Sequence, residues 1–273
     1  MRRNTLLAEL SAEFLGTLVL VLIGLSVTAH VVLADGPGGG HALTVALGWT
    51  FAIVGGIHIA GGVSGAHLNP AITIALAFRR GFPWAKVLPY SIAQLAGAFV
   101  GAVIVDLVFA SAFNRLDPAR TGRTLRALVL VPGGTERDPL MLSGGSSFQA
   151  LAVAAAVFTL LVLAITDARN TAPGANMAPL VIALVLGGVI LAFDPTVGYS
   201  FNPARDLGSR LMAFVFGWNA PFTDQQGAFF AWVPLVAPVL GSVVGGWVYD
   251  FLVGNFLPAA EPEFAELDLE VEP

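Results

Sequence analysis

A chain of 273 residues that is 56% hydrophobic and only 11% charged has too little polar side-chain surface to wet a folded particle, since globular chains carry about 25% charged residues. That composition excludes a cytosolic enzyme, a nucleic-acid binder and a disordered chain, and it places much of the molecule's outside in lipid. The net charge of −5 describes a terminus, because Glu261, Glu263, Glu266, Asp268, Glu270 and Glu272 lie together without a base, and the absence of cysteine removes disulfides, thiolate nucleophiles and sulfur metal sites.

A hydrocarbon core about 30 Å thick takes about 20 helical residues to cross. The first stretch of that kind is 6–32; Glu9 and Glu13 interrupt its apolar run and no small-residue cleavage site follows, so it reads as a retained span rather than a signal peptide. The second is 42–61, followed by a short apolar segment, 69–78, and the third span is 87–109. A polar stretch, 115–147, carries Arg115, Arg120, Arg123, Arg126 and Arg137, and is long enough that we expect it to fold over one face. The fourth and fifth spans are 148–165 and 177–193; a second short segment, 202–216, precedes the sixth span, 228–253, and an acidic tail, 257–273.

The short segments open with the same triplet, Asn69-Pro70-Ala71 and Asn202-Pro203-Ala204, each just past the second span of its half. The third and sixth spans align, with Gly97 and Gly101 on Gly241 and Gly245 and Asp106 on Asp250. Three spans per half is an odd number, so the second half enters the membrane from the opposite side and the repeat is inverted. The expected fold is all-α: six transmembrane helices and two re-entrant half-helices in one channel domain, 1–256, with halves 1–114 and 148–256 joined by 115–147. Interrupted segments at matching positions of inverted halves point to a midplane site.

Asn is a strong helix N-cap, and Pro at the first helical position forfeits no hydrogen bond. If the half-helices meet N-terminus to N-terminus, their positive dipole ends sum at the bilayer centre and oppose cations and hydronium. Asn69 and Asn202 can then offer N–H donors to a passing neutral molecule. The carbonyls of Gly65, Ala66, His67 and Leu68 and of Gly198, Tyr199, Ser200 and Phe201 are the natural acceptors for its hydrogens. Such a pore suits neutral hydroxyl compounds.

Ala12-Glu13-Phe14-Leu15-Gly16-Thr17, Ser64-Gly65-Ala66-His67-Leu68-Asn69-Pro70-Ala71 and Phe201-Asn202-Pro203-Ala204-Arg205-Asp206 resemble the aquaporin family, from the first span to the last, apart from the tail and most of the linker. The resemblance implies a homotetramer with one pore per subunit. It makes Arg205 the arginine of the outer constriction, which Trp49, Ile190 and Tyr199 complete. Two aromatic faces beside one Arg form an amphipathic slot in which a carbon chain lies on the rings while its hydroxyls meet the guanidinium. Asp206, Arg210 and Pro234-Leu235 are similar to the glycerol-conducting branch. Glycerol with water is therefore the expected permeant, and ions and protons are excluded.

Two positions depart from that branch. Ile190 stands where the branch often has glycine, which narrows the slot toward a water-selective alternative. Ala154 stands where the family usually repeats the buried glutamate of the first span, so Glu13, expected to accept hydrogen bonds from the first loop, has no partner in the second half.

A coupled secondary transporter is the remote alternative; coupling normally requires midplane carboxylates, and apart from Glu13 the spans hold acids only near their ends or beside Arg205. Paired catalytic carboxylates, His clusters and cofactor motifs are absent, so an enzyme, a metal site and a cofactor are not expected. A cytoplasmic N-terminus places Arg2, Arg3, Arg79, Arg80, Lys86 and Arg169 inside, six bases against the linker's five, a near tie. The expectation is a multi-pass protein of the plasma membrane with both termini cytoplasmic.

Overall fold

A computed structural model describes residues 5–35, 42–122, 124–132, 144–193 and 200–259. The acidic run from residue 260 onward, and Gly198 and Tyr199 of the second loop, lie outside these residues. Among the described residues the chain is helical: α1 Leu6–Asp35, α2 Ala42–Ser64, α3 Pro70–Arg79, α4 Trp84–Val108, α5 Ala110–Leu116, α6 Gly144–Thr166, α7 Ala178–Phe193, α8 Pro203–Val215 and α9 Val233–Leu252. Five of these, α1, α2, α4, α6 and α9, are long and apolar enough to cross a membrane. The fifth expected span is α7, whose 16 residues reach only about 24 Å at ~1.5 Å per residue. The last span starts at Val233 rather than at 228, because Thr223 and Phe229 close a small antiparallel bridge before Pro234 occupies the first helical turn. Phe51, Leu88, Val108 and Trp247 are exposed on spanning helices, as side chains that face acyl chains must be.

The two short helices begin where the sequence places them. Asn69 and Asn202 have extended backbone, each side chain accepts from the N–H two residues on, and Pro follows at the first helical position. Each cap contributes about 1 kcal/mol.

The halves are built on equivalent close contacts. A Cβ on Gly97 or Gly101 would overlap the carbonyls of Phe14 or Leu18, and one on Gly241 or Gly245 would overlap those of Ala152 or Ala156. Glycine lets α4 lie directly on α1, and α9 on α6, so that dispersion contacts hold helices together where lipid offers no hydrophobic drive.

Ion pairs show which helix ends share a face. Lys86, at the start of α4, holds Glu9, at the start of α1. Arg79 and Arg80, at the end of α3, hold Asp250 at the end of α9, and Tyr249 donates to Asp167 just after α6. On the opposite face Arg120 of the linker pairs with Asp106. Asp106 and Asp250, both near span ends, are buried against these arginines. The described part of the linker packs on this face, with Leu125, Leu128 and Leu130 buried.

Candidate functional site

A cavity of about 280 Å³ runs between the halves. Three helices line it with residues four apart: Trp49, Ile53 and Ile57 of α2, Phe158, Val162 and Thr166 of α6, and Ile182, Leu186 and Ile190 of α7. Each stripe covers about 12 Å of helix, so the wall is a set of apolar rails. Polar groups enter where the half-helices start: Gly65 to Asn69, Asn202 and Arg205. Among the described lining residues Arg205 carries the one fixed charge, and none of them is a carboxylate.

The half-helix N-termini meet and are cross-braced. Asn69 Nδ2 donates to the Phe201 carbonyl at 3.2 Å, and Asn202 Nδ2 donates to the Leu68 carbonyl at 2.8 Å. A carboxamide has two N–H donors, so each Asn uses one to hold the opposite loop and retains one for the cavity. The Leu68 and Phe201 carbonyls, read from sequence as acceptors for a permeant, thus each receive an asparagine.

The first loop is held in a conformation that L residues seldom adopt. Gly65, Ala66 and Leu68 have φ of +86°, +51° and +52°, and a left-handed non-glycine residue costs about 1–2 kcal/mol. Glu13 offsets that cost. Its carboxylate accepts from Ser64 Oγ at 2.6 Å, His67 N at 2.9 Å, Leu68 N at 2.7 Å and Gln94 Nε2 at 2.7 Å. Four donors satisfy a carboxylate that is fully buried, where an unsatisfied one would cost several kcal/mol. Gln94 also donates to Thr73 Oγ1, which donates to the Asn69 carbonyl and faces His67 Nδ1 at 3.2 Å. The sequence reading did not single out Gln94 or Thr73; a glutamine in the middle of an apolar span was the available signal.

The second loop is braced differently. In α6 there is no acidic residue. The glycine contacts make Leu151 the counterpart of Glu13 in the second half, about one turn before Ala154, and Leu151 and Ala154 are both fully buried apolar residues. The carboxylate comes instead from α8. Asp206 accepts from Ser200 Oγ at 2.9 Å and from Arg210 Nε, and Arg210 donates onward to the carbonyls of Pro221 and Leu130. Asp206 and Arg210 are both fully buried. One ion pair therefore ties the half-helix to its own loop, to the linker and to the α8–α9 connection. From the sequence Asp206 was expected as a supporting residue beside Glu13 and Arg210 only as a mark of resemblance; what they brace rests on Ser200, Leu130 and Pro221 arriving beside them.

Near the other end of the stripes, Arg205 is 2% exposed and lies with its guanidinium 5.1 Å over the Trp49 ring. Its Nη1 donates to Ser200 Oγ at 3.1 Å and is 3.7 Å from Asp206 Oδ1. Trp49 and Ile190 are buried in the same cavity wall. The structure thus brings together Trp49, Ile190, Arg205 and the two Asn-Pro-Ala triplets.

The model of the major intrinsic protein family matches residues 1–249. A protein named aquaglyceroporin-2, from Rhizophagus irregularis, is 39% identical over 249 residues, covering 89% of this chain and 76% of its own length. A protein named aquaporin-10, from Milnesium tardigradum, is 34% identical over 280 residues, covering 97% of this chain and 68% of its own. The crystal structure of the aquaglyceroporin from Plasmodium falciparum superposes with a TM-score of 0.79 at 29% identity, covering 91% of this chain and 97% of that one.

Proposed function

The chain belongs to the major intrinsic protein family, and from that premise we propose that it is a passive membrane channel for glycerol and similarly small neutral solutes, together with water. The observation that carries this reading is the Arg205 guanidinium beside the Trp49 ring in the cavity wall, 5.1 Å from its centre. A polyol has a hydrocarbon edge and a hydroxyl edge; the indole face receives the first and the guanidinium donors the second. Selectivity then rests on Trp49, Ile190, Arg205 and Tyr199, with Asn69 and Asn202 as central donors and Glu13 and Asp206 as braces. Relatives named aquaglyceroporins support the same solute class.

Cations meet three obstacles. The half-helix N-termini carry positive partial charge to the centre, Arg205 adds a full charge, and the described lining residues include no carboxylate to replace a cation's water. The functional unit is then one channel domain per subunit, four to an assembly, in the plasma membrane with both termini cytoplasmic.

Ile190 favours a second reading. Its fully buried side chain fills wall space beside Trp49, and a narrower slot passes water in preference to glycerol. Stopped-flow light scattering on proteoliposomes separates the two. Glycerol reswelling well above that of empty vesicles, insensitive to pH and sodium gradients, is the expected result. Fast water flux with glycerol flux at the empty-vesicle level establishes the water-selective channel instead.

A further inference from the structure

Thr28 is not among the residues that line the cavity, yet it holds the ring of one that is. Trp49 Nε1 donates to Thr28 Oγ1 at 3.2 Å, and Thr28 Oγ1 donates to the Gly24 carbonyl at 2.8 Å. With its own hydrogen directed to Gly24, the hydroxyl presents lone pairs to the indole, and the bonds polarise one another in a buried setting. Indole has a single donor. Once that donor is held by Thr28, Trp49 can offer the cavity only its carbon face, with Arg205 beside it.

Gly24 completes the seat. A Cβ built there would overlap three atoms of the Trp49 ring, and one on Gly48 would meet Val27 at 2.7 Å. Glycines on both helices therefore let α1 approach α2 closely enough for the indole to lie against bare backbone at Gly24. The ring is thus fixed by a hydrogen bond at one edge and by a shaped contact on its surface.

We propose that Thr28 and Gly24 are positioning residues for solute selectivity, acting through the angle at which Trp49 meets Arg205. The proposal rests on the reading of Trp49 as a wall of the selectivity slot. Replacing Thr28 by Val keeps the shape and removes the hydroxyl, so the buried indole N–H must turn to find another acceptor.

The test uses the full chain in proteoliposomes, comparing native protein with T28V, T28S and G24A. We expect T28V and G24A to lower the ratio of glycerol to water permeability by about threefold or more, in keeping with one displaced hydrogen bond, and T28S to restore it. In parallel, the Trp49 indole N–H band, taken from ultraviolet resonance Raman spectra as native minus W49F, shifts toward the unbonded position in T28V and keeps its place in T28S. A folded T28V with native ratio and native band overturns the proposal; should T28V not fold, T28A is judged by the same criteria. A native protein that passes water and no glycerol overturns the solute reading alone, and the Raman band together with water permeability then decides the role of Thr28.

Discussion

Ile190 is the side chain on which the proposed choice between glycerol and water turns. It shares the cavity wall with Trp49 and Arg205 and is 1% exposed. Ile190→Gly removes that bulk, and the ratio of glycerol to water permeability is expected to rise; an unchanged ratio places Ile190 outside the constriction. Ser200 makes the complementary case, since its hydroxyl joins Arg205 to Asp206. Ser200→Ala leaves both ions buried with one partner fewer, which costs about 1–3 kcal/mol of stability and frees the guanidinium to move. The expected outcome is a lower melting temperature and measurable erythritol flux, read from thermal denaturation in detergent and from vesicle reswelling. Arg205 was legible in the sequence because it is the base in the first turn of a half-helix, where the dipole disfavours it. Ser200 was legible only as a backbone carbonyl, because what its side chain does depends on where the next turn of helix carries Arg205 and Asp206.

At the scale of helices, the glycine contacts separate structural from incidental positions. A Cβ on Gly241 collides with the Ala152 backbone, whereas one on Gly188 meets nothing within 4 Å. Gly241→Ala should therefore lower the melting temperature, with overpacking of about 1–3 kcal/mol, while Gly188→Ala should leave it unchanged or raised. Equal effects of the two would remove the glycine contact from the account of how α6 holds α9. The connection after α6 adds a pH dependence. Hydrogen bonds from the Arg169 guanidinium hold the Asp167 carboxyl at about 2, against desolvation that raises it, helped by the Arg169 N–H and the Tyr249 hydroxyl. A folded value below the unfolded ~3.9 means stabilisation that is fully present above about pH 4 and lost as pH falls through about 2. The native protein should melt above Asp167→Asn at pH 5, and the gap should close near pH 2. A gap that stays constant with pH would show that this carboxylate adds no charge-dependent stability. The six spans, both half-helices and the glycine repeat were readable from hydropathy and spacing, because lipid imposes a length and an apolar surface on each crossing element. The register between α1 and α6 was not: sequence set Ala154 against Glu13, and the packing sets Leu151 there, since neighbouring apolar residues of an acid-free helix carry no mark of which one faces a given loop.

For the molecule as a whole, membership of the major intrinsic protein family makes a passive channel the expectation to test. Solute should equilibrate without exceeding its outside concentration, whatever sodium or proton gradient is imposed across the vesicle; accumulation above equilibrium would overturn the passive reading and revive the coupled one. By itself the sequence determined that the protein lives in lipid, that it is an inverted pair of three-span halves, and that two capped half-helices meet near its centre. It could do so because span length, N-cap chemistry and a repeated triplet are local signals that need no partner to be recognised. Glu13 aside, only the tertiary structure decided what holds those half-helices in place. Glu13 with Gln94 braces one loop, Asp206 with Arg210 and the linker carbonyl of Leu130 braces the other, and each asparagine crosses to the opposite loop. These partners are distant in the chain, and a buried polar group takes its role from whichever donors and acceptors the packing brings within hydrogen-bonding distance.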